Sequence, residues 1–139
     1  MILEFTIYGN HADQDGNPIP KAKLTLGQQW TEKAQAYAAW KRHIQWTFKE
    51  VCVMRMIGPK EKPAVIPTGK TKPLDIAGKK SARMDLKIFW ANEKHGDPEN
   101  IFGSIADALF ENDKHLDGSF EAKHDPKGKG RVEVKVTIV

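Results

Sequence analysis

Apolar and polar residues alternate along several stretches of the chain, and strict alternation is typical of strands with one buried face. In the last of these stretches a valine or isoleucine occupies every second position from Val132 to Ile138. Because successive side chains of a strand point to opposite faces, each stretch can turn one apolar face to a core. The pattern predicts strands over residues 2–8, 83–90 and 131–139.

Two other stretches repeat apolar residues at helical spacing. The longer one is predicted to run from Thr31, a suitable N-cap, to Met56, and Gly58 and Pro59 follow it. The shorter one opens at 97–100 with an aspartate at the N-cap, a proline at the first helical position and an acid in the first turn. Apolar stripes of this kind usually mark the face that a helix buries.

Turn-forming residues at 125–130 separate a short predicted strand, 119–124, from the last strand, and we expect these two strands to form a hairpin. In chain order the elements read β–α–β–α–β–β. This order predicts a single α+β domain over residues 1–139. We expect a small mixed sheet of about four strands with two main helices packed against one face.

Composition places the 139-residue chain among folded globular proteins, with 40% hydrophobic and 29% charged residues. No apolar run approaches the roughly 18–20 residues of a membrane span. The first residues lack the basic and apolar regions of a signal peptide. We therefore expect a soluble cytoplasmic protein with no membrane partner.

The single cysteine, Cys52, excludes an internal disulfide and a cysteine-based zinc cluster. Its place in the long helix predicts a buried structural thiol.

Residues 58–80 differ from the rest of the chain, with four prolines, three glycines and six lysines against two acidic residues. Their net charge of +4 equals that of the whole chain. A loop of this length within a small domain is usually functional or disordered. Two interpretations stay open: a segment that contacts a polyanion, and a solvated linker.

Acidic residues offer the clearest candidate chemistry, because the five histidines lack metal-ligand spacing and no zinc-peptidase, serine-hydrolase or Walker motif occurs. Asp97 and Glu99 stand two residues apart just before the second helix, so extended backbone would turn both carboxylates to one side. Such an oxygen-rich pair suits Mg²⁺. The alternative interpretation is that Asp97 caps the helix and Glu99 complements its dipole. The remaining members of the acidic cluster are Asp107, Asp113 and Asp117.

Four short segments, taken together, resemble the signature of RusA-type Holliday junction resolvases. The family's D-x-D-N, D-x-L and L-D-D motifs are matched in order by GDPENI at 96–101, IADAL at 105–109 and LDG at 116–118. Its amino-terminal G-x-P-x-P-K-x-R segment is matched by GNPIPKAK at 16–23. The resemblance spans most of the chain and implies a RusA-like fold. It also implies a dimer and an origin in phages or prophages.

The resemblance implies a Mg²⁺-dependent endonuclease, with Mn²⁺ as the alternative ion, that cuts four-way DNA junctions in recombination and repair. Asp97, Glu99 and Asp117 would be its catalytic and metal-binding residues. Phosphate contacts would position the branched DNA without reading bases. These contacts would come from Lys21, Lys23, Lys70, Lys72, Lys79 and Lys80. A two-fold junction suits a homodimer, for which the apolar faces of the two helices are the candidate surfaces.

Three positions depart from the family pattern. Glu99 stands where the family usually has Asp, Gly103 where it can carry a lysine, and Gly118 where it has the second Asp of L-D-D. These departures keep a second hypothesis open, a relative that binds branched DNA without cutting it. A third hypothesis is a protein-interaction module in which the acidic residues are only caps and solvated surface. Asp107 is expected either to brace the site or to be ordinary helix surface.

Overall fold

The computed structural model describes residues 1–22, 31–54 and 69–139. Part of the basic 58–80 stretch, together with Lys23 and the predicted end of the long helix at Met56, lies outside the described residues. The elements are β1 (Ile2–Tyr8), α1 (Glu32–Phe48), a π-helical segment (Lys49–Met54), β2 (Ala82–Trp90), α2 (Pro98–Leu109), β3 (Asp117–His124) and β4 (Arg131–Ile138).

The four strands form one mixed sheet in the order β1-β4-β2-β3. β4 pairs antiparallel with both β1 and β2, whereas β3 pairs parallel with β2. Alternate residues of β1, β2 and β4 are buried, and both helices pack on that side of the sheet. The prediction of an α+β fold with a mixed four-stranded sheet and two main helices is therefore confirmed.

The predicted hairpin of the last two strands is wrong, because β2 lies between β3 and β4. β4 is apolar at every second position and is buried there, which suits a strand with neighbours on both sides. β3, with the sequence DGSFEAKH, is exposed at all eight positions and lies at the edge of the sheet. The connection at 125–130 therefore carries the chain past β2 to the other side of it.

Both helices bury their apolar faces within this same chain. In α1 the fully buried Trp40 donates its indole N–H to Ser104 of α2 at 3.1 Å, and Ser104 is itself fully buried. Gln45 of α1 donates to the carbonyl of Ala108 at 2.9 Å. The apolar helix faces, which were the candidate dimer surface in the sequence, are thus buried in the core of this chain.

Helix caps fall where the sequence predicts them, with one difference in their chemistry. The Thr31 hydroxyl accepts a hydrogen bond from the Ala34 N–H at 3.2 Å, which satisfies one free amide at the start of α1. Asp97 occupies the N-cap of α2, but its side chain makes no capping hydrogen bond. In the described part of the chain, no helix has the length and apolar character needed to cross a membrane.

Candidate functional site

Asn17 fixes the amino-terminal loop to the turn that follows β2. Its side-chain oxygen accepts a hydrogen bond from the Ala91 N–H at 2.6 Å. Its side-chain nitrogen donates to the Lys94 carbonyl at 2.9 Å and to the Asn92 side chain at 3.0 Å. Hydrogen bonds made by both ends of one side-chain amide thus join two loops that are more than 70 residues apart in sequence.

Stacked rings hold the chain between β2 and α2. The His95 ring lies parallel to Trp90 with centroids 3.9 Å apart, and His124 meets His95 edge-on at 5.5 Å. The next residue, Gly96, packs so closely against Pro20 that a Cβ there would lie 2.8 Å from the proline ring. These contacts fix the position of the chain just before α2, where Asp97 follows.

Lys21 lies along the first turns of α2. Its N–H donates to the Asn100 carbonyl at 2.9 Å. Its aliphatic stem passes over Gly103, 3.4 Å from the position that a Cβ would occupy. Gly103, where the family can carry a lysine, therefore has a lysine from another part of the chain packed over it.

These elements enclose a cleft of about 380 Å³, which we call the Asp97 cleft. It is lined by Lys21, Lys33, Tyr37, Asp97 and Asn100, among others. The Asp97 carboxylate is exposed and is not used as a helix cap. The lysines and the positive end of the helix dipole suit a phosphate, whereas the Asp97 carboxylate and the Asn100 amide oxygen are the groups that could hold a cation beside it.

Lys33 was not identified from the sequence. It stands in the first turn of α1, about 60 residues before Asp97, and only the packing of α1 beside α2 brings it to this cleft. The sequence offered one weak signal, a basic residue at the start of a helix, where the helix dipole disfavours it.

The predicted metal ligands do not all lie together. Asp97 is the N-cap of α2 and Glu99 lies in its first turn, so the extended backbone that was expected to turn both carboxylates to one side ends before Glu99. Glu99 is exposed and does not line the Asp97 cleft. Asp117 pairs with Arg83 near the start of β2, whereas Asp97 follows the end of that strand. By register Asp117 shares a face with Ser119, which hydrogen-bonds Asp85 on the side of the sheet away from the helices. Within residues 1–22, 31–54 and 69–139, no three His, Cys, Asp or Glu side chains form a group that could hold a metal ion.

The other predicted phosphate-binding lysines lie away from the Asp97 cleft. Lys72 pairs with Asp107 at 3.1 Å on a later turn of α2. The N–H of Lys70 donates to the Glu111 carboxylate at 3.0 Å. Lys79 and Lys80 are exposed in the turn that leads into β2. Lys21 is therefore the one predicted lysine that the described residues place in the cleft.

Asp107 braces the two helices and the basic loop. Its carboxylate accepts hydrogen bonds from the Tyr37 hydroxyl at 2.8 Å and from Lys72 at 3.1 Å, and Lys41 lies 3.4 Å away. Burial alone would raise the pKa of Asp107, but these donors and positive charges hold it below the usual value. Burial and the same hydrogen bond raise the pKa of Tyr37. Asp107 is thus not ordinary helix surface, and one of its partners, Tyr37, lines the Asp97 cleft; that it braces a catalytic site stays a prediction.

Cys52 is buried, in agreement with the structural role predicted for it. Burial raises the pKa of its thiol to about 11, so the reactive thiolate is scarce near neutral pH. Its sulfur lies 3.8 Å from the Glu4 carbonyl on the edge of β1. The thiol therefore packs against the sheet and has no role in the Asp97 cleft.

A wider concavity of about 850 Å³ lies on the open face of the sheet. There the charges are already matched across strands: Lys135 stands between Glu4 and Asp85, and Lys87 stands opposite Glu133. Because each lysine faces an acid, this surface has no excess of positive charge to attract a polyanion. The Asp97 cleft is the better candidate.

Comparison with known proteins adds no family assignment. No protein-family model matches the chain, and a search of curated proteins finds no significant match.

Proposed function

We propose that the protein acts on branched DNA at the Asp97 cleft, as a Mg²⁺-dependent endonuclease with Mn²⁺ as the alternative ion. The observation that carries the proposal is the exposed Asp97 carboxylate, which is free of capping and lies in one cleft with Lys21 and Lys33. A cap would have made the acid structural. An exposed acid could hold a metal ion, and the two lysines that line the same cleft could hold the phosphate that the ion would activate.

The residues present fit such an ion. Mg²⁺ is commonly held by one or two carboxylates and keeps several waters, so Asp97, with the Asn100 amide oxygen in the same cleft, would supply the protein ligands. Glu99 is helical and exposed, and it does not line the cleft. Bound there, the ion would supply Lewis acidity for in-line attack of water on the phosphodiester. Lys21 and Lys33 would hold the phosphate, and the tight packing around Pro20 and Gly96 would keep Asp97 in place.

Phosphate contacts of this kind set affinity and orientation without reading sequence. They support recognition by DNA shape, and a four-way junction with two equivalent strands would be served by two copies of the cleft in a homodimer. Asp117 and Glu99 stay predicted ligands, but Asp117 lies on the other face of the sheet and Glu99 lies outside the cleft lining, which favours a site built mainly by Asp97.

A second candidate function is binding of branched DNA without cleavage. Gly118 lies against the Met84 carbonyl, and a Cβ there would come within 2.6 Å of the Phe102 ring. An acid at this position has no room, so the second aspartate of the family motif is absent and could not be added without movement. This observation favours a site with fewer ligands than a nuclease needs.

The decisive experiment is Asp97→Asn, measured for junction cleavage with Mg²⁺, junction binding in EDTA and thermal stability. Asn is an equally good N-cap, so stability should change by no more than about 0.5 kcal/mol. Cleavage should be abolished while binding persists, because a metal ligand is lost and a negative charge near phosphate is removed.

Asp113→Asn is the matched control, because Asp113 is exposed and lies outside the cleft. Cleavage by the wild type that survives Asp97→Asn would overturn the proposed site. Salt-sensitive binding without cleavage in the wild type would establish the second candidate. Absence of any junction binding would favour the protein-interaction module.

A further inference from the structure

The two edge strands of the sheet, β1 and β3, differ in what packs beside them. On the β1 edge, side chains from α1 and the π-helical segment approach the strand: the His43 ring lies 3.2 Å from the Tyr8 carbonyl, and the Cys52 sulfur lies near the Glu4 carbonyl. On the β3 edge, all eight residues are exposed, and β2 is the one strand of the described residues that pairs with β3. An uncovered edge strand presents unpaired backbone groups to another chain.

An apolar patch flanks this open edge on the helix side. Phe120 of β3 is 43% exposed although it stands in register with the buried Leu86. Its ring lies 6.0 Å from that of Phe102, which is half-buried on α2. Among the residues that the structure describes, the apolar core therefore extends to the β3 edge and leaves Phe120 partly exposed there.

The sequence of β3 is complementary to itself when it is read in the opposite direction. A two-fold axis perpendicular to a sheet makes an antiparallel strand pair in which the central residue faces its own copy. With Phe120 at the centre, Asp117 faces Lys123 of the second copy, and Ser119 faces Glu121. Both ends of the pair thus carry opposite charges, and the centre carries two aromatic rings.

Neighbouring registers lack this complementarity. A centre at Ser119 places Asp117 opposite Glu121, and a centre at Glu121 places two glutamates face to face. Like charges directly opposite one another are destabilising. The Phe120-centred register avoids every like-charge pair within the strand.

We propose that two copies of this chain pair through β3 in the antiparallel, Phe120-centred register, which joins their sheets into one of eight strands. The four rings of Phe102 and Phe120 from both copies would close the core at the axis. The inference rests on the proposed function for the expectation of a two-fold partner, and it adds the surface and the register. Both Asp97 clefts would lie on the same face of the joined sheet. Because β2 would run antiparallel to its copy, the two clefts would lie at opposite ends of the strands.

Cysteine crosslinking tests the register directly. Residues that face their own copy have Cα atoms about 4.5–5.5 Å apart, which a disulfide can bridge. Phe120→Cys should therefore form a covalent dimer on mild oxidation of the full chain. Ala122→Cys is the matched control: Ala122 is also exposed and lies on the same face, but its two copies would be about 14 Å apart along the strand. It should not crosslink.

Sedimentation of the uncrosslinked protein tests the interface itself. The wild type should sediment at twice the 15.7 kDa chain mass at micromolar concentration. Lys123→Asp should give monomers because it would face Asp117, and the double swap Asp117→Lys with Lys123→Asp should restore the dimer. Tyr8→Lys, on the opposite edge, should leave the dimer intact.

A monomeric wild type would overturn the inference. So would a dimer that persists in the Lys123→Asp variant and does not crosslink in the Phe120→Cys variant. A dimer with neither property would form through another surface, and that result would not contradict the proposed function. A β3-linked dimer that neither binds nor cuts junctions would overturn the proposed function and leave this inference standing.

Discussion

The two glycines that depart from the family pattern have different surroundings. Gly118 leaves no room for a side chain, because a Cβ there would press on the Met84 carbonyl and on the Phe102 ring. Gly103 has ordinary space above it, with the Lys21 stem 3.4 Å away. Residue type alone did not distinguish them, since both appeared in the sequence as departures from one family pattern.

This difference gives a prediction for stability. Gly118→Ala should destabilise the protein by about 1–3 kcal/mol, since neither a backbone carbonyl nor a packed ring can give way cheaply. Gly103→Ala should be neutral or should stabilise by up to about 1 kcal/mol, since glycine is a poor residue within a helix. Urea denaturation with a constant slope measures both. Equal stability of the two variants would contradict the packing at Gly118.

At the scale of elements, Asp107 is where α1, α2 and the basic loop meet. Three positive or donating groups, on Tyr37, Lys41 and Lys72, converge on its carboxylate. Removing that carboxylate would leave two lysines near each other without their shared partner. The interface between the helices should therefore depend on pH.

The pKa of Asp107 is lower in the folded protein than in the unfolded chain. Its stabilisation is therefore fully present above the unfolded pKa of about 3.9 and is lost as the pH falls through the lower folded value. Asp107→Asn should cost about 1–2 kcal/mol at pH 7. The difference from the wild type should shrink near pH 3.

Urea unfolding at both pH values measures this effect. Asp113→Asn, an exposed control, should stay within about 0.5 kcal/mol of the wild type at pH 7. If the Asp107→Asn cost were the same at pH 3 as at pH 7, the stabilisation would come from packing and not from charge. On the alkaline side, the pKa of Tyr37 is raised in the folded protein, so its contribution to stability is fully present below the unfolded pKa of about 10 and is lost as the pH rises from there toward the folded value.

At the scale of the whole molecule, positive charge is unevenly placed. Lys21 and Lys33 meet in the Asp97 cleft, whereas Lys87 and Lys135 are matched by acids on the open face of the sheet. The net charge of +4 is too small to attract DNA by itself. Binding therefore has to depend on where the unmatched lysines lie.

Replacing Lys21 and Lys33 together with alanine should weaken junction binding equally for all sequences. It should also make the slope of log affinity against log salt shallower by about 2, since each lost phosphate contact removes about 0.9. The double variant Lys87→Ala with Lys135→Ala should leave the slope unchanged. A slope that responded to the open-face pair and not to the cleft pair would place DNA on the other side of the sheet.

The sequence determined the local elements because local patterns carry them. Alternation of Val and Ile in β4, the Thr31 cap and the proline at the start of α2 were each readable from a few adjacent residues. The α+β class followed from their order. Which carboxylates and lysines meet was not readable, because Lys33 reaches Asp97 only when two helices pack side by side.

Tertiary structure decided the strand order and which side chains stay exposed, and β3 and Asp97 show the physical reason. Adjacent strands in sequence suggest a hairpin, but a polar strand gains little from the centre of a sheet, so β3 takes the edge and β4 the interior. An aspartate before a helix suggests a cap, but stacked rings and a packed proline already fix the turn there and leave its carboxylate exposed. Sequence patterns determine what each segment can form, and the competition for burial between distant segments determines which surfaces stay open.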